Sequence, residues 1–224
     1  MPDRAVIFDL DGTLVDTAPD LMRATNFVLT GMGRRPLEMP EVRAFVGHGA
    51  RALLTRGLAA TGGLPDAYDV EADYRRFVDY YAANIAQGSA PFPGLVSLLD
   101  RLKDEGYGLG VCTNKLEGLS VLLLEALDLA KYFGSVVGPD TLGIAKPDPK
   151  PFFEAVNRLD LDSPRAIMVG DSETDILTAR NAGVPVIAVP FGYTPRPVAE
   201  FAPDRLIGHF DEAYGAIEEL FAEA

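Results

Sequence analysis

The first apolar run, Arg4-Ala-Val-Ile-Phe8, stops at Asp9. It is too short for a helix and reads as a buried strand. Asp9-Leu-Asp-Gly-Thr13 follows as a loop, and from Asp16 to Gly88 the periodicity changes. Leu21, Ala24, Val28 and Met32 recur at helical spacing, and Pro40 suits the opening of a second helix. Gly47-His48-Gly49 breaks the chain before a third helix over Ala50–Ala60. A fourth, rich in Tyr and charge, is expected over Asp66–Ala86, and the region holds no convincing strand. Pro91, Pro93 and Gly94 then punctuate a return. Helix Leu95–Glu105, stopped by Gly106, leads to strand Tyr107–Cys112, helix Leu116–Leu127 and strand Phe133–Val137. Helix Pro149–Leu159, strand Arg165–Val169, helix Glu173–Ala182 and strand Val184–Val189 complete the alternation. This order predicts an α/β fold, a Rossmann-like doubly wound parallel sheet with helices on both faces. The all-helical stretch is then an insertion. We expect a catalytic core at residues 1–15 and 89–224 and a helical cap at 16–88. The cap should move as a body about hinges near Val15–Thr17 and Gly88–Pro93.

Composition narrows the partners. A chain of 224 residues that is 48% hydrophobic can bury a core of useful size. Its formal net charge of −13 argues against nucleic acid, whose affinity comes mainly from Lys and Arg on phosphates, and does not favour acidic membranes. A small anionic substrate would need a local positive site from a metal, a lysine or a helix N-terminus. Cys112 is the single cysteine, so no intramolecular disulfide framework exists. No stretch is long and apolar enough to span a bilayer, and MPDRAVIFDLDG does not read as a leader. A cytoplasmic protein is expected, a monomer or homodimer.

The candidate chemistry sits where strands end. In open parallel sheets, ligands bind at the carboxyl ends of the strands. Asp9 and Asp11 follow the first strand, Thr113 and Asn114 the second, and Asp171 and Asp175 the strand that starts at Arg165. Lys146 lies just before the helix opened by Pro149. A carboxylate such as Asp9 can attack phosphorus and form an acyl-phosphate. Attack on an anion needs charge cancellation, which Mg²⁺ on Asp9, Asp171 and the Asp11 carbonyl would supply, with Lys146 offsetting the rest. Asp11 could protonate the leaving alkoxide and then deprotonate water. Thr113 and nearby backbone amides could hold phosphate oxygens. Taken singly, Thr113-Asn114 would be a helix cap, Lys146 a solvated lysine and Asp175 a support for its loop. Their joint placement outweighs those readings.

Four segments carry a resemblance: Asp9-Leu-Asp-Gly-Thr-Leu-Val-Asp16, Cys112-Thr-Asn-Lys115, Lys146-Pro-Asp-Pro149 and Gly170-Asp-Ser-Glu-Thr-Asp175. In this order they make the chain resemble the haloacid dehalogenase-like hydrolase superfamily over nearly its whole length. The resemblance implies a nucleophile at Asp9, an acid/base at Asp11 and phosphate ligands at Thr113 and Lys146. It also implies magnesium on Asp9, Asp11 and Asp171, with Asp175 behind them. The second acid, Asp11, points to phosphatase or mutase work. In the cap, Phe45-Val-Gly-His-Gly-Ala-Arg-Ala-Leu-Leu54 offers His48, Gly49 and Arg51 beside a helix N-terminus, a setting that favours an anion. That suits a short substrate with phosphate at one end and carboxylate at the other. Hydrolysis of 2-phosphoglycolate is the expected reaction. The alternatives are another small phosphorylated metabolite, such as a sugar phosphate, or a β-phosphoglucomutase-like phosphomutase.

Overall fold

The computed structural model describes residues 4–64, 68–161 and 165–223. In chain order, β1 (Arg4–Phe8) and the short β2 (Val15–Asp16) precede four helices. These are α1 (Ala18–Gly31), α2 (Met39–Phe45), α3 (Ala50–Ala60) and α4 (Glu71–Ala83). β3 (Ala90–Pro91) brings the chain back to α5 (Leu95–Asp104), β4 (Gly108–Cys112), α6 (Glu117–Ala126) and β5 (Ser135–Val137). Then come α7 (Pro139–Leu142), α8 (Lys150–Asn157), β6 (Arg165–Gly170), α9 (Glu173–Ala182), β7 (Val186–Ala188), β8 (Arg205–Leu206) and α10 (Ala213–Glu223). Six strands form one parallel sheet in the order β5-β4-β1-β6-β7-β8.

β1 lies inside that sheet, and its continuous apolar run reflects burial on both faces. Val6 and Phe8 pack on one side with Leu109, Val111, Ile167 and Val169. Ile7 packs on the other with Cys112, Met168 and Phe152, the alternation a pleated strand imposes. The expected strand at Phe133 begins only at Ser135, because Phe133 N–H closes a tight turn onto Ala130 O. The helix expected over Asp66–Ala86 runs over Glu71–Ala83; its first two positions, 66–67, lie outside the described residues. Asp69 Oδ1 accepts the Glu71 N–H at 2.9 Å, a local turn that delays the helix start. Among the described residues, no helix is long and apolar enough to cross a membrane.

The helices α1 to α4 leave the sheet through β2 and return through β3. These two crossings pair antiparallel, Val15 with Pro91 and Asp16 with Ala90. The apolar faces of the four helices, including Leu21, Val28, Leu53, Leu58 and Phe77, join the buried cluster that covers Val6 and Phe8. Asp20, in the first turn of α1, ties the crossings together. Its Oδ2 accepts Gly88 N–H, Ser89 N–H and Ser89 Oγ–H at 2.9, 2.8 and 2.7 Å, and its Oδ1 accepts Arg23 at 2.6 Å. With the residue only 1% exposed, water cannot replace it. Asp20→Ala should therefore cost about 3 kcal/mol, since several buried donors lose a charged acceptor. In a chain of this size that lowers Tm by about 6–12 °C. A urea titration giving a loss below about 1 kcal/mol would show that the crossings hold without it.

Candidate active site

The chain runs outward from β1 to β4 and β5, then returns past β1 to β6, β7 and β8. The loops after β4, β1 and β6 therefore sit side by side at the point where the winding reverses. Asp9 N–H donates to Val169 O at 2.9 Å and Thr113 N–H to Val137 O at 3.0 Å, so the ladder runs on to the residues that leave it. Lys146, between α7 and α8 and 5% exposed, reaches the same rim. Its Nζ lies 2.9 Å from Asp9 Oδ1 and 2.6 Å from Asp175 Oδ1. Asn114 fixes the lysine's backbone: Oδ1 accepts Lys146 N–H at 3.0 Å, and Nδ2 donates to Lys146 O at 3.3 Å and to Gly47 O at 3.4 Å. Asn114 thus bridges the rim and the loop before α3.

Asp175 spends its other oxygen on its own loop, accepting Asp171 N–H, Ser172 N–H and Ser172 Oγ–H at 3.2, 3.0 and 2.6 Å. Asp171 accepts Thr13 Oγ–H at 3.1 Å and Tyr193 N–H at 2.7 Å. Gly192 makes room for it: a β-carbon there would lie 2.1 Å from Asp171 Oδ2.

Ligand-binding oxygens of Asp9, Asp171 and Asp175 lie within 4.8 Å of one another, all buried. Burial pushes the Asp9 carboxyl up to about 6 although Lys146 pulls the other way. Asp171 is raised well above the usual carboxylate range by burial, then by Asp175 and Asp9. Burial works against the Lys146 ammonium, yet Asp175 and Asp9 raise its pKa. Three carboxylates crowd one ammonium, and Asp9 Oδ1, in ionic contact with Lys146, has no aligned hydrogen bond. An all-oxygen, electron-rich group of this kind fits a hard divalent cation. The Asp11 carboxylate lies outside it, with Lys115 Nζ at 3.1 and 3.2 Å from its two oxygens. That leaves the Asp11 backbone carbonyl as its candidate metal donor.

A cavity of about 40 Å³ lies between this rim and the helices above it. Asp9, Asp11, Thr113 and Lys115 form the rim side, and Gly49, Ala50, Phe77 and Tyr81 face them. Gly49, at φ +83°, takes a conformation that favours glycine, and a β-carbon there would press to 3.1 Å from Asn114 O. Thr113 Oγ accepts Lys115 N–H at 3.2 Å, which leaves its own proton for another acceptor.

His48 and Arg51 are not brought to this cavity. One helical step past Ala50, Arg51 points about 100° away. Its guanidinium, half exposed, pairs with Glu71 at 2.7 Å and covers the Tyr74 ring at 4.2 Å. His48 Nδ1 sits 3.5 Å from Arg56, and burial, then Arg56, lowers its pKa. His48 lines an adjoining cleft together with Gly49, Arg51, Asn114 and Lys146, and a second one beside Ser172. Sequence reasoning missed Lys115 and Tyr81. Lys115 was in view as the last residue of Cys112-Thr-Asn-Lys115; Tyr81, four residues after Phe77, looked like ordinary core.

A parallel sheet with a buried carboxylate group and a buried lysine at its rim defines a class. A family model described as haloacid dehalogenase-like hydrolase matches residues 6–189, and the chain belongs to that family. Its curated relatives make it a phosphoric monoester hydrolase. One, named phosphoglycolate phosphatase, from Caulobacter vibrioides, is 51% identical over 92% of this chain and 86% of its own length. Among solved structures, a predicted phosphoglycolate phosphatase from Haemophilus somnus superposes with a TM-score of 0.88 at 30% identity, covering 96% of this chain and 99% of that one. CbbY from Rhodobacter sphaeroides, in complex with xylulose-(1,5)bisphosphate, gives 0.78 at 27%, covering 95% and 96%.

Proposed function

We propose that the protein hydrolyses 2-phosphoglycolate to glycolate and phosphate through an aspartyl-phosphate at Asp9, with residues 16–88 acting as a cap over the core. The observation that carries this is the convergence of Asp9, Asp11, Thr113 and Lys115 on one small cavity, with Lys146 and Asp171 directly behind Asp9. An Asp9 oxygen attacks phosphorus, and the bond to the glycolate oxygen breaks. Asp11 delivers a proton to that leaving oxygen, then takes one from a water that attacks the aspartyl-phosphate, releasing phosphate and restoring Asp9. Thr113 Oγ–H binds a phosphoryl oxygen. Lys146 offsets the Asp9 charge so that an anionic phosphate can approach. Magnesium, which Asp9, Asp171 and the Asp11 carbonyl would hold, supplies charge neutralisation at the phosphoryl oxygens when bound. The cap excludes bulk water during transfer.

The relatives named phosphoglycolate phosphatase support the substrate. The deciding measurement is kcat/KM across 2-phosphoglycolate, glucose 6-phosphate, xylulose 1,5-bisphosphate and β-glucose 1-phosphate. 2-Phosphoglycolate should lead. A sugar phosphate in first place would give the site to that class, and isomerisation without net phosphate release would make it a mutase. Exhaustive chelation should abolish turnover. Added Mg²⁺ should raise Tm, because a ligand held only by the folded state stabilises it by mass action. Full activity without any divalent ion would remove the metal from the reading.

A further inference from the structure

We propose that Lys115 and Tyr81 together recognise the substrate's second anionic end, and so set the preference for short phosphorylated acids. This rests on the phosphatase reading above and adds the residues that select within it. Among the described residues, Lys115 is the cation that lines the cavity. The other basic groups nearby are committed elsewhere: Lys146 to Asp9 and Asp175, Arg51 to Glu71, and Arg43 to Asp16. Lys115 is itself almost wholly buried, so its charge acts in a medium that screens it little. Two of its contacts go to the Asp11 oxygens, and its ammonium also faces the Tyr81 ring at 4.4 Å.

Tyr81 supplies the second, independent observation. It comes from α4, across the cavity from the loop that carries Lys115, and is 1% exposed. Its hydroxyl makes no well-aligned hydrogen bond in the protein, although the Lys115 ammonium stands beside it. A buried hydroxyl left unpaired is costly, and one that borders a cavity gains most from an acceptor placed there. Apart from the rim groups Asp9, Asp11, Thr113 and Asn114, the rest of the wall, with Leu21, Leu53, Phe77 and Leu119, is apolar. Away from the rim, a carboxylate entering this space finds one neutral donor and one ammonium, set in hydrocarbon.

The arrangement also links selection to chemistry. Lys115 holds the Asp11 carboxylate while the cavity has no anion in it. An arriving carboxylate competes with Asp11 for the same ammonium and loosens its grip on the acid/base. A neutral phosphoester of equal length has no group that does this. The anionic end therefore affects kcat as well as KM.

The test compares 2-phosphoglycolate with 2-hydroxyethyl phosphate, which has the same length but no second charge. In the wild type the acid should be strongly preferred. Lys115→Met should lower the ratio of the two kcat/KM values by roughly 10–100-fold, the range for a lost charge-assisted hydrogen bond. Tyr81→Phe, which deletes one oxygen and keeps the packing, should lower it by about 5–10-fold. The double variant should fall short of the product of the two effects, because both residues hold one group. If Lys115→Met fails to fold, the Tyr81→Phe ratio carries the test alone. A wild-type preference that survives both substitutions would overturn this assignment and leave the phosphatase reading standing. A wild type without preference for the acid would overturn this assignment and, with it, the choice of 2-phosphoglycolate as substrate.

Discussion

Asp9→Asn leaves the fold intact and lowers kcat by on the order of 10⁴-fold or more. The amide keeps the shape of the side chain but is a poor nucleophile and a weaker metal donor. Tolerance of the fold follows from the surroundings. Asp9 is the member of the buried acidic group whose Oδ1 has no aligned hydrogen bond, and Asp171 and Asp175 crowd it. Removing its charge relieves that repulsion, while Lys146 keeps Asp175 as a partner at 2.6 Å. Circular dichroism and thermal melting should therefore match the wild type or show a small gain. In the wild type, acid quenching during turnover should trap phosphate on the peptide that contains Asp9. Appreciable turnover in Asp9→Asn would move the nucleophile elsewhere.

Asp11→Asn should slow turnover by roughly 10²–10⁴-fold, the usual contribution of one acid/base group. The two half-reactions separate with the choice of leaving group. p-Nitrophenolate departs without a proton, so p-nitrophenyl phosphate should still phosphorylate Asp9. Hydrolysis of the aspartyl-phosphate still needs a base for water. A burst of one nitrophenolate per enzyme, followed by slow turnover, is the expected trace. With 2-phosphoglycolate both steps suffer and the burst disappears. A steady rate near that of the wild type on both substrates would assign the proton transfers to another group.

Much of the architecture was readable before any coordinates. β1 was legible because four consecutive apolar residues, Ala5 to Phe8, between Arg4 and Asp9 suit a strand covered on both faces. α9 was legible to its ends: Ser172 and Asp175 cap its start, and Gly183, at φ +70°, ends it. The rim residues other than Lys146 could be found because each follows a strand. What could not be read was direction and burial. Spacing placed Arg51 beside a helix N-terminus, but its partner Glu71 is brought near only by the packing of α4 on α3. Lys115 looks like any lysine until the chain is folded and its ammonium is found beneath Tyr81. β8, with two residues, shows no period at all, and α10 is recognisable mainly by what covers Ile217, Leu220 and Phe221.

The position of β1 in the sheet has a consequence during synthesis. Its neighbours are β4 and β6, through the pairs Ala5 with Gly108 and Arg4 with Arg165. β1 is thus made before either partner, and its second edge partner lies about 160 residues further along. At a ribosomal rate of about 5–20 residues per second, the strand waits about 8–30 s with at least one edge unpaired. The four helices between the crossings emerge during that interval. Their contacts with one another are local enough to form first, before either edge of β1 is paired. Placing these helices between β1 and the rest of the sheet therefore lengthens the time for which both edges of β1 stand open, and makes their own rapid collapse the way their apolar faces are kept from that open strand.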